Sequence, residues 1–148
     1  MEDKRVFVDT NVLLAATDVA RSHHRGAKAF ISHAAGGSWR LFASAQIFRE
    51  YLVVATRPIQ NNGLGLSPED AARNVHVYQR LVQVLPEGQD SHNRLVSLVI
   101  DHQLNGKRIH DANLVAVMMT QGLRQLKTYN PQDFRPFQEI ELLEHPAR

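Results

Sequence analysis

Short apolar runs alternate with longer stretches of helical periodicity along the chain, and that alternation constrains the fold more than any other feature. Val6-Phe7-Val8 is a β-branched and aromatic run ending at Asp9, after which Thr10-Asn11 leads into the apolar Val12-Leu13-Leu14-Ala15-Ala16, giving strand, turn and helix. The segment from His24 to Ala35 carries Ala27, Phe30, Ile31 and Ala34 at helical spacing, and Gly36-Gly37 stops it. Trp39-Arg40-Leu41-Phe42-Ala43 reads as a second strand. Ser44 then caps a helix from Ala45 to about Thr56, ended by Arg57-Pro58. After a loop over 60–66, Ser67-Pro68-Glu69-Asp70 supplies an N-cap, a proline at the first helical position and early acidic charge for a helix reaching about Leu81. Val82-Gln83-Val84-Leu85 is a third strand, Asp90 or Ser91 opens a helix through His102, and Asp111 opens one more. The last strands fall at 125–128 and 140–143, joined by the turn-rich Asn130-Pro131-Gln132-Asp133. Strands separated by helices predict an α/β fold on a parallel sheet.

At 148 residues, 43% of them hydrophobic and 22% charged, the chain buries one core, and a single domain over 1–148 is expected. The formal charge of +2, from 17 Lys and Arg against 15 Asp and Glu, is far from that of a protein gripping nucleic acid by charge alone. Any such contact is local. The absence of cysteine excludes a disulfide framework and a thiolate zinc site. The first residues reach Asp9 before a signal-like apolar stretch develops, and no run approaches the roughly 18 apolar residues of a membrane span. A cytoplasmic protein with no membrane partner is expected.

Three carboxylates stand where they need a reason. Asp9 ends the first strand, and in open parallel sheets ligands bind beyond the carboxyl ends of the strands; it can equally cap the helix that follows. Glu50 shares a helix side with Ile47, Val53 and Val54, with Gln46 one turn back, and a carboxylate on an apolar side needs a cation, a hydrogen-bond network or a cleft. Arg57, two turns on, is the structural candidate for its partner. Asp111 precedes Leu114, Val115 and Met118 on one stripe, at a helix start whose dipole suits both a cap and a metal ligand. Brought together, the three would raise one another's pKa, a conflict that a divalent cation resolves; oxygen-only ligation selects Mg²⁺ or Mn²⁺.

Val6-Phe7-Val8-Asp9-Thr10-Asn11-Val12-Leu13-Leu14, Phe48-Arg49-Glu50-Tyr51, Arg108-Ile109-His110-Asp111-Ala112-Asn113-Leu114-Val115-Ala116 and Thr128-Tyr129-Asn130-Pro131-Gln132-Asp133-Phe134 together resemble the PIN-domain nucleases in order and spacing, most of all the toxin ribonucleases of VapBC-type toxin-antitoxin pairs. The resemblance spans nearly the whole chain. It implies an α/β/α sandwich on a central parallel sheet of about five strands, hydrolysis of RNA phosphodiesters with Mg²⁺ or Mn²⁺, and a homodimer inhibited by a small antitoxin protein. By position, Asp9 and Asp111 would be the principal metal ligands, Glu50 would bind metal directly or through water and orient the nucleophile, and Thr10 and Asn11 would support them. Where the family often has a fourth acidic residue this chain has Asn130, with Asp133 three residues on; either could complete the site.

Other readings make different demands. A phosphoryl-aspartate phosphatase of the haloacid-dehalogenase type usually carries a second Asp two residues after the first, where this chain has Asn11. A non-catalytic module binding RNA or protein is kept open by Asn130. The 8 histidines show no His-Glu-x-x-His or comparable metal spacing and read as mostly surface residues, with His110 at a helix start. The Met-bearing run from Val115 to Met119 reads as core. Arg21, Arg25, Lys28, Arg49 and Arg108 are scattered cations able to steer RNA.

Overall fold

The computed structural model describes residues 4–144; the ends of the expected 1–148 domain lie outside the described residues. Strand β1 (Arg5–Val8) is followed by helices α1 (Thr10–Thr17) and α2 (His24–Ala35), strand β2 (Arg40–Ser44), helices α3 (Ala45–Thr56) and α4 (Pro68–Leu81), strand β3 (Val82–Leu85), helices α5 (Gln89–His102) and α6 (Arg108–Thr120), and strands β4 (Gln125–Lys127) and β5 (Glu141–Leu142). All pairings are parallel, in the order β3-β2-β1-β4-β5. The sequence-based α/β expectation of about five parallel strands holds.

The order reverses between β1 and β4, which makes their carboxyl ends the topological switch point where a crevice opens in folds of this kind. Right-handed crossovers that run from β1 to β3 and then return to β4 must place the helices on opposite faces. Packing agrees: α1 meets α2 and α3, and α3 meets α4, whereas α5 packs on α6. The central strands are apolar because both faces are covered; Val6, Phe7, Val8, Leu41, Phe42, Ala43 and Leu126 are buried. Of the run from Val115 to Met119 read as core, Val115, Ala116, Val117 and Met118 are buried, while Met119 is only partly buried against them. Among the described residues no helix is long and apolar enough to cross a membrane.

Local chemistry explains most boundaries. Ser67 Oγ accepts from the Asp70 N–H at 3.1 Å, with Pro68 at the first helical position. Gly37, with φ +97, turns the chain after α2 where a side chain would be strained. Three expectations need correction. Ser44 occupies the N-cap position of α3 but makes no cap bond, and its buried hydroxyl has no hydrogen-bond partner. Helix α5 begins one residue earlier than expected, after Gly88, whose N–H donates to Ser91 Oγ at 3.0 Å. Asp111 does not open its helix: α6 starts at Arg108 after Lys107, which supplies no side-chain cap.

Candidate active site

Asp9 follows the carboxyl end of the central strand β1, where α1 begins. Its Oδ1 accepts from the Thr10 N–H at 2.7 Å, and its Oδ2 accepts from Thr128 Oγ1 at 2.8 Å and from Asn11 Nδ2 at 3.3 Å. Asp9 therefore both caps α1 and is clamped across the switch point. Asn11 is itself fixed, donating to Thr128 Oγ1 at 3.2 Å and accepting from the Tyr129 N–H at 3.1 Å. A residue so completely positioned has little rotamer freedom left to lose on binding a ligand.

Glu50 reaches the same crevice from α3. Thr10 Oγ1 donates to its Oε1 at 3.0 Å and Gln46 Nε2 donates to its Oε2 at 3.4 Å. Among the described residues Glu50 forms no ion pair with Arg57, so the structural partner considered for it is not used. The helix side it shares is not wholly core either: Ile47 is buried, but Val53 is 52% exposed and lines the cleft.

Asp111 enters from α6, on the opposite layer. It lies on the stripe of buried Leu114, Val115 and Met118, but as the fourth residue of the helix rather than its cap. Gln46 ties the two layers together: it is buried, its Nε2 donates to the His110 carbonyl at 3.0 Å, and its Oε1 accepts from Asn113 Nδ2 at 2.6 Å.

Asp9, Glu50, Asp111 and Asp133 line one cleft of about 720 Å³, together with Thr10, Asn11 and Asn130. Asp133 lies in the turn Pro131–Asp133, near enough that its charge is felt at Asp111; Asn130 stays exposed at the edge. Burial pushes the Asp9 carboxyl up to about 6, opposed by the Thr128 and Thr10 hydrogen bonds and reinforced by the charges of Glu50 and Asp111. Asp111 is also pushed up to about 6, by burial first and then by Asp133 and Glu50, against the lowering influence of Arg108 and His110. The charge of Glu50 reaches both Asp9 and Asp111, behind burial as a cause of their shifts.

Among the described residues none of the four carboxylates forms an ion pair. Nor do three His, Asp or Glu side chains among them stand as a preformed cluster for direct ligation of one ion. The donor set is oxygen only and acidic, which is the chemistry of hard divalent cations that keep part of their water shell. Arg49 and Arg57 from α3 and Lys107 add positive charge to the cleft lining, which His110 also joins.

Several of these residues were not legible as site residues. Thr128 and Gln46 carry hydrogen bonds to the carboxylates, yet each reads in sequence as an ordinary polar residue. Of the cations singled out, Arg49 lines the cleft and Arg108 acts electrostatically on Asp111, while Arg21 is engaged elsewhere, donating to the Asn62 carbonyl at 3.0 Å. His24 is not merely a surface residue: its Nδ1 lies 2.8 Å from the Ala15 carbonyl, linking α2 to α1.

A parallel sheet with this strand order and acidic residues at its switch point defines a class of α/β proteins with a polar crevice. Residues 6–139 match the family model for the PIN domain, and the chain belongs to that family. Comparison with curated proteins finds none that matches. Among solved structures, the chain is similar to VapBC2 from Rickettsia felis bound to a DNA fragment from its promoter, with TM-score 0.69, 10% identity, and coverage of 94% of this chain and 97% of that one. It is similar to a toxin-antitoxin complex from Klebsiella pneumoniae, with TM-score 0.64, 20% identity, and coverage of 92% and 95%. VapC20 from Mycobacterium tuberculosis, described as a sarcin-ricin loop cleaving toxin, gives TM-score 0.63 at 18% identity, covering 82% of this chain and 86% of that one. At these identities the likeness is one of fold.

Proposed function

We propose that the chain is a Mg²⁺-dependent endoribonuclease acting as the toxin of a toxin-antitoxin pair, with Mn²⁺ able to substitute. The observation that carries this reading is the convergence of Asp9, Glu50, Asp111 and Asp133 on one cleft with no ion pair among the described residues to neutralise them. The donor chemistry fits a hard cation. Asp9 and Asp111 would hold it, with Glu50 and Asp133 contributing directly or through water. When bound, the ion supplies positive charge toward the phosphate oxygens and lowers the pKa of a coordinated water.

The chain's own residues do the rest. Thr128 and Thr10 fix both oxygens of Asp9 and favour its ionised form, which a cation site requires. Thr10 and Gln46 hold the two oxygens of Glu50, aiming it to orient the attacking water. Arg49, Arg57 and Lys107 line the cleft and offer cationic contacts for RNA phosphates on either side of the cleaved bond. Water attacks phosphorus and one ester oxygen leaves, so no covalent bond to the protein forms.

The toxin assignment draws on fold neighbours that include a toxin-antitoxin complex and a sarcin-ricin loop cleaving toxin. A cytoplasmic location, a homodimer and an inhibitory antitoxin partner belong to the same reading. Expression in a bacterial host tests it: the parent chain should arrest growth and generate new RNA ends, Asp9→Asn should do neither, and a co-expressed cognate antitoxin should restore growth. No growth effect and no new ends would favour the non-catalytic module, which Asn130 in place of an acidic residue keeps as the second reading.

A further inference from the structure

Outside the acidic cluster, the strongest unexplained feature is a stack of two rings. His23 and Tyr129 lie face to face, 4.1 Å between centroids and 2° between planes. Tyr129 is half-buried and follows Thr128, the residue that clamps Asp9, while Asn130 on its other side lines the cleft. Its N–H donates to Asn11 Oδ1, so its backbone is fixed to the network that holds Asp9. Its hydroxyl points toward α2 at Gly26, where a Cβ would come within 3.8 Å. Lys127 Nζ stands 5.2 Å from the Tyr129 ring centroid and 5.6 Å from that of Phe30, a buried cation resting on aromatic rings. The inner ring is therefore held on several sides.

The outer ring is not. His23 is exposed, precedes α2, and makes no cap hydrogen bond with its side chain. It is an exposed ring stacked on a positioned tyrosine, whose neighbour in sequence, Asn130, lines the cleft. Unpaired bases of single-stranded nucleic acid bind such surfaces because every base presents a π-face.

We propose that His23, backed by Tyr129, is the platform on which one unpaired base of the RNA substrate stacks beside the acidic cleft. The assignment rests on the ribonuclease reading and adds to it one residue that contacts a base of the substrate rather than its backbone. Phosphate contacts along the cleft carry no base information, whereas this contact requires a base and tolerates its identity.

The test compares binding, by fluorescence anisotropy in Mg²⁺, of a degenerate six-nucleotide RNA pool with phosphorothioate linkages that slow hydrolysis, and of the same backbone lacking bases. The parent should prefer the base-bearing pool about tenfold, within the range produced by one stacking aromatic. His23→Ala should lose that preference while keeping its affinity for the abasic backbone, and His23→Phe should retain it. A purely structural stack would instead leave the preference unchanged in any folded variant. Preservation of the preference in His23→Ala, or its absence in the parent, overturns the platform and leaves the cleft reading standing. A parent that binds neither oligonucleotide overturns both.

Discussion

Thr128 Oγ1 donates a 2.8 Å hydrogen bond to Asp9 Oδ2, joining the carboxyl ends of two parallel strands at the point where the strand order reverses. This bond fixes the acidic residue on the central strand and favours its charged form against the cost of burial.

Replacing Thr128 by Val keeps the shape and removes that donor, together with the hydroxyl on which Asn11 and the Asn130 N–H converge. The Asp9 pKa should rise, so Mg²⁺ affinity and cleavage should fall more at pH 6 than at pH 8. Stability should drop by about 1–3 kcal/mol, the cost of leaving buried polar groups unpaired. Calorimetric Mg²⁺ titration at the two pH values and thermal melts check both effects; equal losses at pH 6 and 8 would count against the role given to this bond.

Asp9 and Asp111 are both pushed up to about 6 from an ordinary value of 3.8. Between about pH 4 and 6 the folded protein therefore holds more protons than the unfolded chain, and the metal-free protein loses stability as pH rises through that window. For Asp9 the loss is about 3 kcal/mol. Relative to Asp9→Asn, the parent melting temperature should fall from pH 4 to 7 without metal, and Mg²⁺ should restore it at pH 7 but not at pH 4. A parent and variant that track each other across this range would contradict the assignment.

Gln46 joins α3 to α6 through Glu50, the His110 carbonyl and Asn113. Gln46→Ala removes one partner each from Glu50, the His110 carbonyl and Asn113 and leaves Glu50 held at one oxygen by Thr10, so stability should fall by about 1–3 kcal/mol. Turnover should fall more than substrate affinity, because Glu50 loses the hold on one of its oxygens and not its charge. Steady-state kinetics with thermal melts distinguish this from a uniform loss of binding.

Arg57 lines the cleft without pairing to Glu50, so Arg57→Ala should leave stability within about 0.5 kcal/mol. RNA affinity should weaken, and the slope of log affinity against log salt should shrink by about one phosphate contact. A substantial loss of stability would instead restore Arg57 as a structural partner.

Much of the fold was readable because local signals agree with it: the β-branched runs at β1 and β3, the Ser67-Pro68 start of α4, and the period of α2. The start of α6 was misread, since Gly106-Lys107-Arg108 offers no side-chain cap and Asp111 looks like one. Asp9, Glu50 and Asp111 stood out because a carboxylate at a strand end or on an apolar helix side demands an explanation. Thr128 did not, because its role depends on β4 pairing with β1, and Asp9 lies 119 residues away along the chain. Gln46 sits one turn before Glu50, a spacing visible in sequence, but its reach to α6 depends on how the two helix layers meet above the sheet. The His23–Tyr129 stack is likewise a product of tertiary contact.

The most direct test of the central claim is cleavage of a panel of structured and single-stranded RNAs by the purified chain in Mg²⁺, in Mn²⁺ and in chelator, beside Asp9→Asn and Asp111→Asn. Cleavage that requires a divalent ion and is lost in both variants, each still folded, is the predicted result. Cleavage that persists in chelator or in either variant, or a parent that binds metal but cuts no RNA, would contradict it.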